Sequence, residues 1–455
     1  MKGLVVAANR LPVEVSADGT LNSSPGGLAS ALSSVTAAGT HWIGWAGPDA
    51  DARTKPFAHG DLQLHPVALS TDEVDRYYQG FANSILWPLF HGRLRRVELN
   101  RAWWHSYRIV NRRFATAACR IAPQGGTVWV HDYHLLLTPA LIRAKRPDLR
   151  IGLFLHIPFP NAQLFSMLPW RKEVIKGMLG ADVLGFQVPD DVDNFVAAAE
   201  RIVDARVRGS LMFDGVHTVD VDAFPISVDF AQWDSLGDES QEQAARQRKE
   251  LGVESIFLGI DRLDYTKGIT VRLRAFQELL EDGAIDPEEV VFVQVAVPSR
   301  ERIGSYAEER RRVNNIVGEI NGRFGRIGRP SVHLVSRSLP MTELQPLYRT
   351  ADVMLVTPVR DGMNLVAKEF VASCVNESGV LILSEFAGAA HELTDALKVN
   401  PFDIDGVKAA LVEALAMSPE EQQRRMRSMR ALVKERDVHA WALGFIQRLE
   451  KRRRS

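Results

Sequence analysis

Residues 127–156 read TVWVHDYHLLLTPALIRAKRPDLRIGLFLH. Two short apolar runs, 127–131 and 151–156, have the length and composition of strands, and between them 135–145 carries apolar residues at helical spacing. Strands without polar alternation are buried on both faces. A strand–helix–strand unit built from such strands predicts a parallel sheet covered by helices.

The alternation extends in both directions. Upstream, 3–8 and 41–45 read as strands and 104–119 as a helix; downstream, 182–187 is a strand and 190–202 a helix. Near 230–250 Gln, Glu, Arg and Ser replace the apolar runs, which predicts a linker followed by a solvated helix. The pattern restarts with strands at 255–260, 290–296, 332–335, 353–357 and 380–384. At 455 residues the chain exceeds what one core usually organises, so two consecutive doubly wound units are expected. Ligands in such sheets sit beyond the carboxyl ends of the strands. The last stretch, 437–455, places Val438, Trp441, Phe445 and Leu449 at helical spacing. It ends in Lys451-Arg452-Arg453-Arg454, cations that suit a helix C-terminus.

Composition excludes several classes. A formal net charge of −1 gives no basic excess for nucleic acid or a membrane surface. The two cysteines, Cys119 and Cys374, belong to no CxxC or Cys/His cluster, so neither a disulfide framework nor structural zinc is expected. The apolar run at residues 4–8 is too short for a signal-peptide core, and no run approaches the roughly 18 residues of a membrane span. A cytoplasmic protein is the expectation.

The chemistry-bearing residues cluster after the strands. Gly26-Gly27 precedes a helical run at 28–35, where a glycine pair lets a ligand approach backbone N–H groups; it is not a GxGxxG motif. His131-Asp132-Tyr133-His134 ends a strand. Two histidines three apart without a third ligand make no metal site, whereas the Asp132 carboxylate suits sugar hydroxyls. His156 ends the next strand, in a loop stiffened by Pro158 and Pro160. After 255–260, Arg262 and Lys267 lie five residues apart and can neutralise a diphosphate, unless they merely pair with Asp261 and Asp264. After 353–357, Asp361 precedes a helix whose N–H groups can meet phosphate. Glu369 follows about two turns inside it, so the two can hold a sugar and a ribose diol respectively. Asp403-Ile404-Asp405-Gly406-Val407 resembles a phosphatase nucleophile loop, but 398–402 does not read as a strand, so Asp403 is expected to cap the helix at 407–417. Residue chemistry alone supports a phosphosugar or nucleotide-sugar enzyme.

Taken together, HDYHLL (131–136), FLHIPFP (154–160), RLDYTKG (262–268), TPVRDGMNLVAKE (357–369) and the stretch from Asp75-Arg76-Tyr77-Tyr78 through Asn83 to Leu86-Trp87-Pro88 resemble the trehalose-6-phosphate synthase family of retaining glycosyltransferases. The resemblance runs from Asn9 to Phe402. It implies a GT-B fold, with two Rossmann-like domains facing a central cleft: an acceptor domain at 1–230, a nucleotide-sugar domain at 231–455, and the final helix, about 437–453, packing back on the first. It implies transfer of glucose from UDP-glucose or GDP-glucose to glucose 6-phosphate, with no cofactor and no metal. Arg10, Tyr78, Trp87, Asp132 and Arg300 would hold the acceptor, the two arginines on its phosphate. Gly26, Gly27, His156, Arg262, Lys267, Leu339, Asp361, Gly362, Met363, Asn364, Leu365, Val366 and Glu369 would hold the donor. Asp132, His156, Arg262, Lys267 and Asp361 would lie nearest the reacting atoms. Leu339 stands where relatives often carry an aromatic residue, which leaves uracil or guanine open, and a homo-oligomer is left open too. No phosphatase domain is implied, so free trehalose is not an expected product. The alternatives are a validoxylamine-type pseudo-glycosyltransferase and a silent sugar-phosphate sensor.

Overall fold

A computed structural model describes residues 3–15, 20–23, 39–47, 55–93, 98–208, 211–213, 217–235, 238–300 and 303–452. Gly26, Gly27, the expected helix at 28–35 and Arg453-Arg454 lie outside the described residues. The chain divides into two compact units, Met1–Ile226 with Val438–Ser455, and Ser227–Asp437.

The strands of the first unit are β1 (Leu4–Arg10), β2 (Val13–Val15), β3 (Leu21–Ser23), β4 (His41–Trp45), β5 (Phe57–His59), β6 (Leu62–Pro66), β7 (Thr127–His131), β8 (Arg150–Phe154), β9 (Val183–Phe186), β10 (Arg206–Arg208), β11 (Leu211–Phe213) and β12 (Thr218–Ala223). Strands β2 and β3 form a hairpin. The others make one sheet in the order β10-β11-β12-β9-β8-β7-β1-β4-β6-β5. It is parallel from β12 to β6. At each edge short loops replace crossover helices, and short loops permit only antiparallel pairing.

Two local features depart from the pattern. The helix expected from residue 135 starts at Thr138, because Pro139 fits the first turn of a helix but not its interior; a 3-10 turn, Tyr133–Leu135, precedes it. Residues Val74–Leu86 wind as a π-helix, whose wider turn no apolar spacing announced.

The C-terminal helix Val438–Lys451 packs on β8 and β9 within the first unit. Phe445 stacks on Trp129 with centroids 4.8 Å apart, and Trp441 Nε1 donates to the Phe224 carbonyl at 3.1 Å. Glycines make the room. A Cβ on Gly185 would lie 2.8 Å from ring carbons of Phe154 and Phe445. Gly185→Ala is therefore expected to destabilise the chain by about 1–3 kcal/mol, read as a lower urea midpoint; an unchanged midpoint would mean that these rings move aside freely.

The second unit contains β13 (Ser255–Arg262), β14 (Val290–Val297), β15 (Val332–Val335), β16 (Val353–Val356), β17 (Val380–Ser384) and β18 (Leu397–Val399). They form an all-parallel sheet in the order β15-β14-β13-β16-β17-β18. The order reverses between β13 and β16, which creates a crevice at their carboxyl ends. Strand β18 corrects the reading of 398–402: three residues alternating buried, exposed, buried suffice for an edge strand, too few to show as a run. Asp403 nevertheless caps the helix Ile404–Ala416, accepting the Gly406 N–H at 3.1 Å. No helix among the described residues is long and apolar enough to cross a membrane.

Candidate functional site

In the first unit, β1 ends on Arg10 and β4 on Trp45. The Arg10 guanidinium lies 4.8 Å from the Trp45 ring centroid and 5.6 Å from that of Tyr78, and it pairs with the Glu14 carboxylate. Two aromatic faces thus hold a cation that keeps 29% of its side chain exposed. Tyr78, delivered by the π-helix, stacks on His134 with centroids 5.6 Å apart.

His134 leads on to Asp132, whose Oδ2 lies 4.0 Å from His134 Nδ1. Asp132 has a φ of 72°, a left-handed backbone that a non-glycine adopts only when its surroundings enforce it. Its Oδ1 accepts the His156 backbone N–H at 3.2 Å. The two rings at the ends of β7 and β8 also meet, His131 Nδ1 lying 3.1 Å from His156 Nε2. Burial holds His131 well below the ordinary histidine value and pushes His156 down to about 3, so both are neutral at physiological pH. The structure therefore gathers Arg10, Tyr78, Asp132 and His156 into one run. Trp87 stands behind it: only 3% exposed, it packs on His91 and on Tyr133 rather than presenting an open face.

In the second unit, the loop after β13 and the loop after β16 share the crevice. Gly268 has a φ of 63°, and a Cβ there would run into the Thr357 carbonyl; the Val359 N–H donates to the Thr266 carbonyl at 2.8 Å. This contact brings Lys267 Nζ onto Asp361 Oδ2 as an ion pair. Asn364 donates to the same oxygen at 3.1 Å and caps the helix Leu365–Ser373. The residues Gly362 to Val366 thus run through the start of that helix, where N–H groups lack intrahelical partners. Glu369 is its fifth residue, little more than one turn in, where the spacing suggested two; it accepts from the Tyr348 hydroxyl at 2.7 Å. Burial pushes the Glu369 carboxyl up to about 6, against the pull of that hydrogen bond.

Asp261 and Asp264 have further partners besides the loop cations. Asp261 pairs with Arg272 at 2.5 Å, and Arg272 is fully buried, bonded also to Gln294 at 2.9 Å. Asp264 accepts from the Thr266 N–H and hydroxyl, each at 2.9 Å, and from the Tyr306 hydroxyl at 3.2 Å. Tyr306 in turn accepts from Arg300, whose φ of 49° again lies in the left-handed region. Burial alone would raise the Asp264 carboxyl, but Arg300, Arg262 and Lys267 hold it below its usual value. Arg262 is exposed at the end of β13, and Leu339 is buried beyond β15. The motifs did not announce Glu14, Trp45, Tyr306 or Tyr348. Arg272 carried a signal, a cation on the apolar face defined by Ile269, Leu273 and Phe276.

A model of glycosyltransferase family 20 matches residues 2–451. The chain is 48% identical to a trehalose-6-phosphate synthase of Mycolicibacterium vanbaalenii, covering 98% of this chain and 95% of the relative. It is 49% identical to one of Mycolicibacterium smegmatis, with 98% and 92% covered. Among solved structures it is similar to an α,α-trehalose-phosphate synthase (UDP-forming) of Burkholderia xenovorans in complex with glucose 6-phosphate, at a TM-score of 0.90 and 34% identity over 98% and 99% of the two chains. A protein from E. coli bound with UDP-2-fluoro glucose matches at a TM-score of 0.89 and 34% identity over 99% of each.

Proposed function

The chain belongs to glycosyltransferase family 20, and from that premise we propose that it transfers glucose with retention from UDP-glucose to the anomeric hydroxyl of glucose 6-phosphate, giving α,α-trehalose 6-phosphate and UDP. The observation that carries the reading is the cluster of Lys267, Asp361 and Asn364 at the start of a helix, at the point where strand order reverses. A cation and free backbone N–H groups at such a point suit a departing diphosphate, and a carboxylate beside them suits a sugar hydroxyl. The relatives' names and the ligands named for similar structures support the choice of substrates.

In this reading the first unit, with Arg10, Tyr78 and Asp132, takes the acceptor, and Trp87 supports them through Tyr133. The second unit takes the donor: Arg262 and Lys267 on the diphosphate, Asp361 and the backbone from Gly362 to Val366 on glucose and phosphate, Glu369 on the ribose, and Leu339 beside the base. Arg300 is assigned to clamp the acceptor phosphate, His156 to the transferred glucose and Gly26-Gly27 to the donor. The acceptor hydroxyl oxygen bonds to C1 of glucose on the face that the diphosphate leaves. The C1–O bond breaks with its electron pair going to UDP, and a leaving phosphate oxygen takes the acceptor's proton. Positioning and preorganised charge supply the rate.

The test is an assay of the purified chain with glucose 6-phosphate and either UDP-glucose or GDP-glucose, the product identified by nuclear magnetic resonance. An α,α-linked phosphorylated disaccharide, formed faster from UDP-glucose, is expected. No product from either donor would favour the pseudo-glycosyltransferase or the sensor instead. Arg300→Ala is expected to raise KM for glucose 6-phosphate about tenfold, the scale of one lost charged hydrogen bond, with donor KM little changed. Unaltered acceptor saturation would remove Arg300 from the clamp.

A further inference from the structure

We infer that His131 is a positioning residue that holds the His156 ring in the tautomer protonated at Nδ1, so that His156 presents a hydrogen-bond donor to its ligand. The two rings face each other across the ends of β7 and β8, His131 Nδ1 lying 3.1 Å from His156 Nε2. Two neutral imidazoles in that contact share a single proton, and its owner decides the tautomer of both rings. If His156 owned it, His131 would have to carry its remaining proton on Nε2. That atom is fully buried and has no hydrogen-bond partner among the described residues. An orphaned buried N–H is a rarer and costlier arrangement than an unused acceptor. The proton therefore sits on His131 Nδ1, His156 Nε2 accepts it, and the other His156 nitrogen carries N–H.

The surroundings fix both rings. His131 lies 4.5 Å from the Trp129 ring centroid, and His156 is held through its backbone N–H by Asp132. His156 itself is half-buried, and Nδ1 is the ring nitrogen that the contact with His131 leaves unused. A fixed donor selects an oxygen lone pair of a hydroxyl or phosphate. On the functional reading above, that oxygen belongs to the transferred sugar.

The experiment is a two-bond hydrogen–nitrogen correlation spectrum of the full chain labelled with ¹⁵N-histidine, His156 being assigned with a His156→Gln variant. The expected result is a protonated Nδ1 and a bare Nε2 on His156. A proton on His156 Nε2, or averaging between the two forms, would overturn the inference. His131→Asn keeps an amide donor near the place of Nδ1 and should preserve the His156 signature with kcat within a few-fold. His131→Phe keeps shape and burial but removes the donor; it should lose the signature and lower kcat about tenfold, one hydrogen bond's worth, with KM for glucose 6-phosphate unchanged. An unchanged His156 signature in His131→Phe would also overturn the inference. Should that variant not fold, the wild-type spectrum and His131→Asn still decide. The inference rests on the proposed reaction only for the identity of the ligand: the expected tautomer together with full activity in His156→Ala would retain His131 as the positioning residue and refute the placement of His156 on the sugar.

Discussion

Lys267→Ala is expected to lower turnover about a hundredfold, the typical scale for one preorganised charge on a developing anion. The lysine is set by the contact of Gly268 with the Thr357 carbonyl and held by Asp361, so its ammonium waits at the helix start before any ligand arrives. A diphosphate there would share or take over that cation. Removal also leaves Asp361 with one strong partner fewer, so the loss must be separated from misfolding. Thermal unfolding of the variant is measured alongside kcat, and the activity loss should persist at temperatures where the variant is fully folded. Near-normal kcat in a folded Lys267→Ala protein would take the lysine out of the mechanism.

Arg272→Ala is expected to cost about 3–5 kcal/mol of stability, because it strands a carboxylate in the core. Asp261 and Arg272 lie 2.5 Å apart with essentially no exposure, and Arg272 further ties Gln294 on β14 to Thr357 after β16, the latter at 3.3 Å. The pair thus fastens the carboxyl ends of the strands that flank the crevice. Breaking one partner leaves an uncompensated charge, whereas removing both need not. Arg272→Met combined with Asp261→Leu should therefore recover a large part of the loss in denaturant unfolding. If the single and double variants unfold alike, the buried charge is not what Arg272 compensates.

The elements were legible wherever side-chain period and composition change along the chain. The run at 127–131 is the strand β7 to the residue, and 332–335 and 380–384 are likewise β15 and β17. Boundaries shifted where one residue overruled the pattern, as Pro139 did. The π-helix was not legible, since its turn does not match the 3.6-residue spacing by which helices are recognised, and it is this helix that sets Tyr78 on His134. The edge strand β18 was too short to stand out.

What the sequence determined by itself is therefore local: two series of buried parallel strands, and polar motifs at the strand ends where α/β sheets expose them. The partnerships were decided by tertiary structure. Nothing along the chain couples His131 to His156, Lys267 to Asp361, or Tyr306 to Asp264, because residues 25, 94 or 42 positions apart meet only once strand order and register are set. His131 pairs in register with Phe154, which puts His156 two residues further along the neighbouring strand's exit. A side chain's type records what it is able to bond, but the register of neighbouring strands, a property of the whole sheet, decides which partner it reaches.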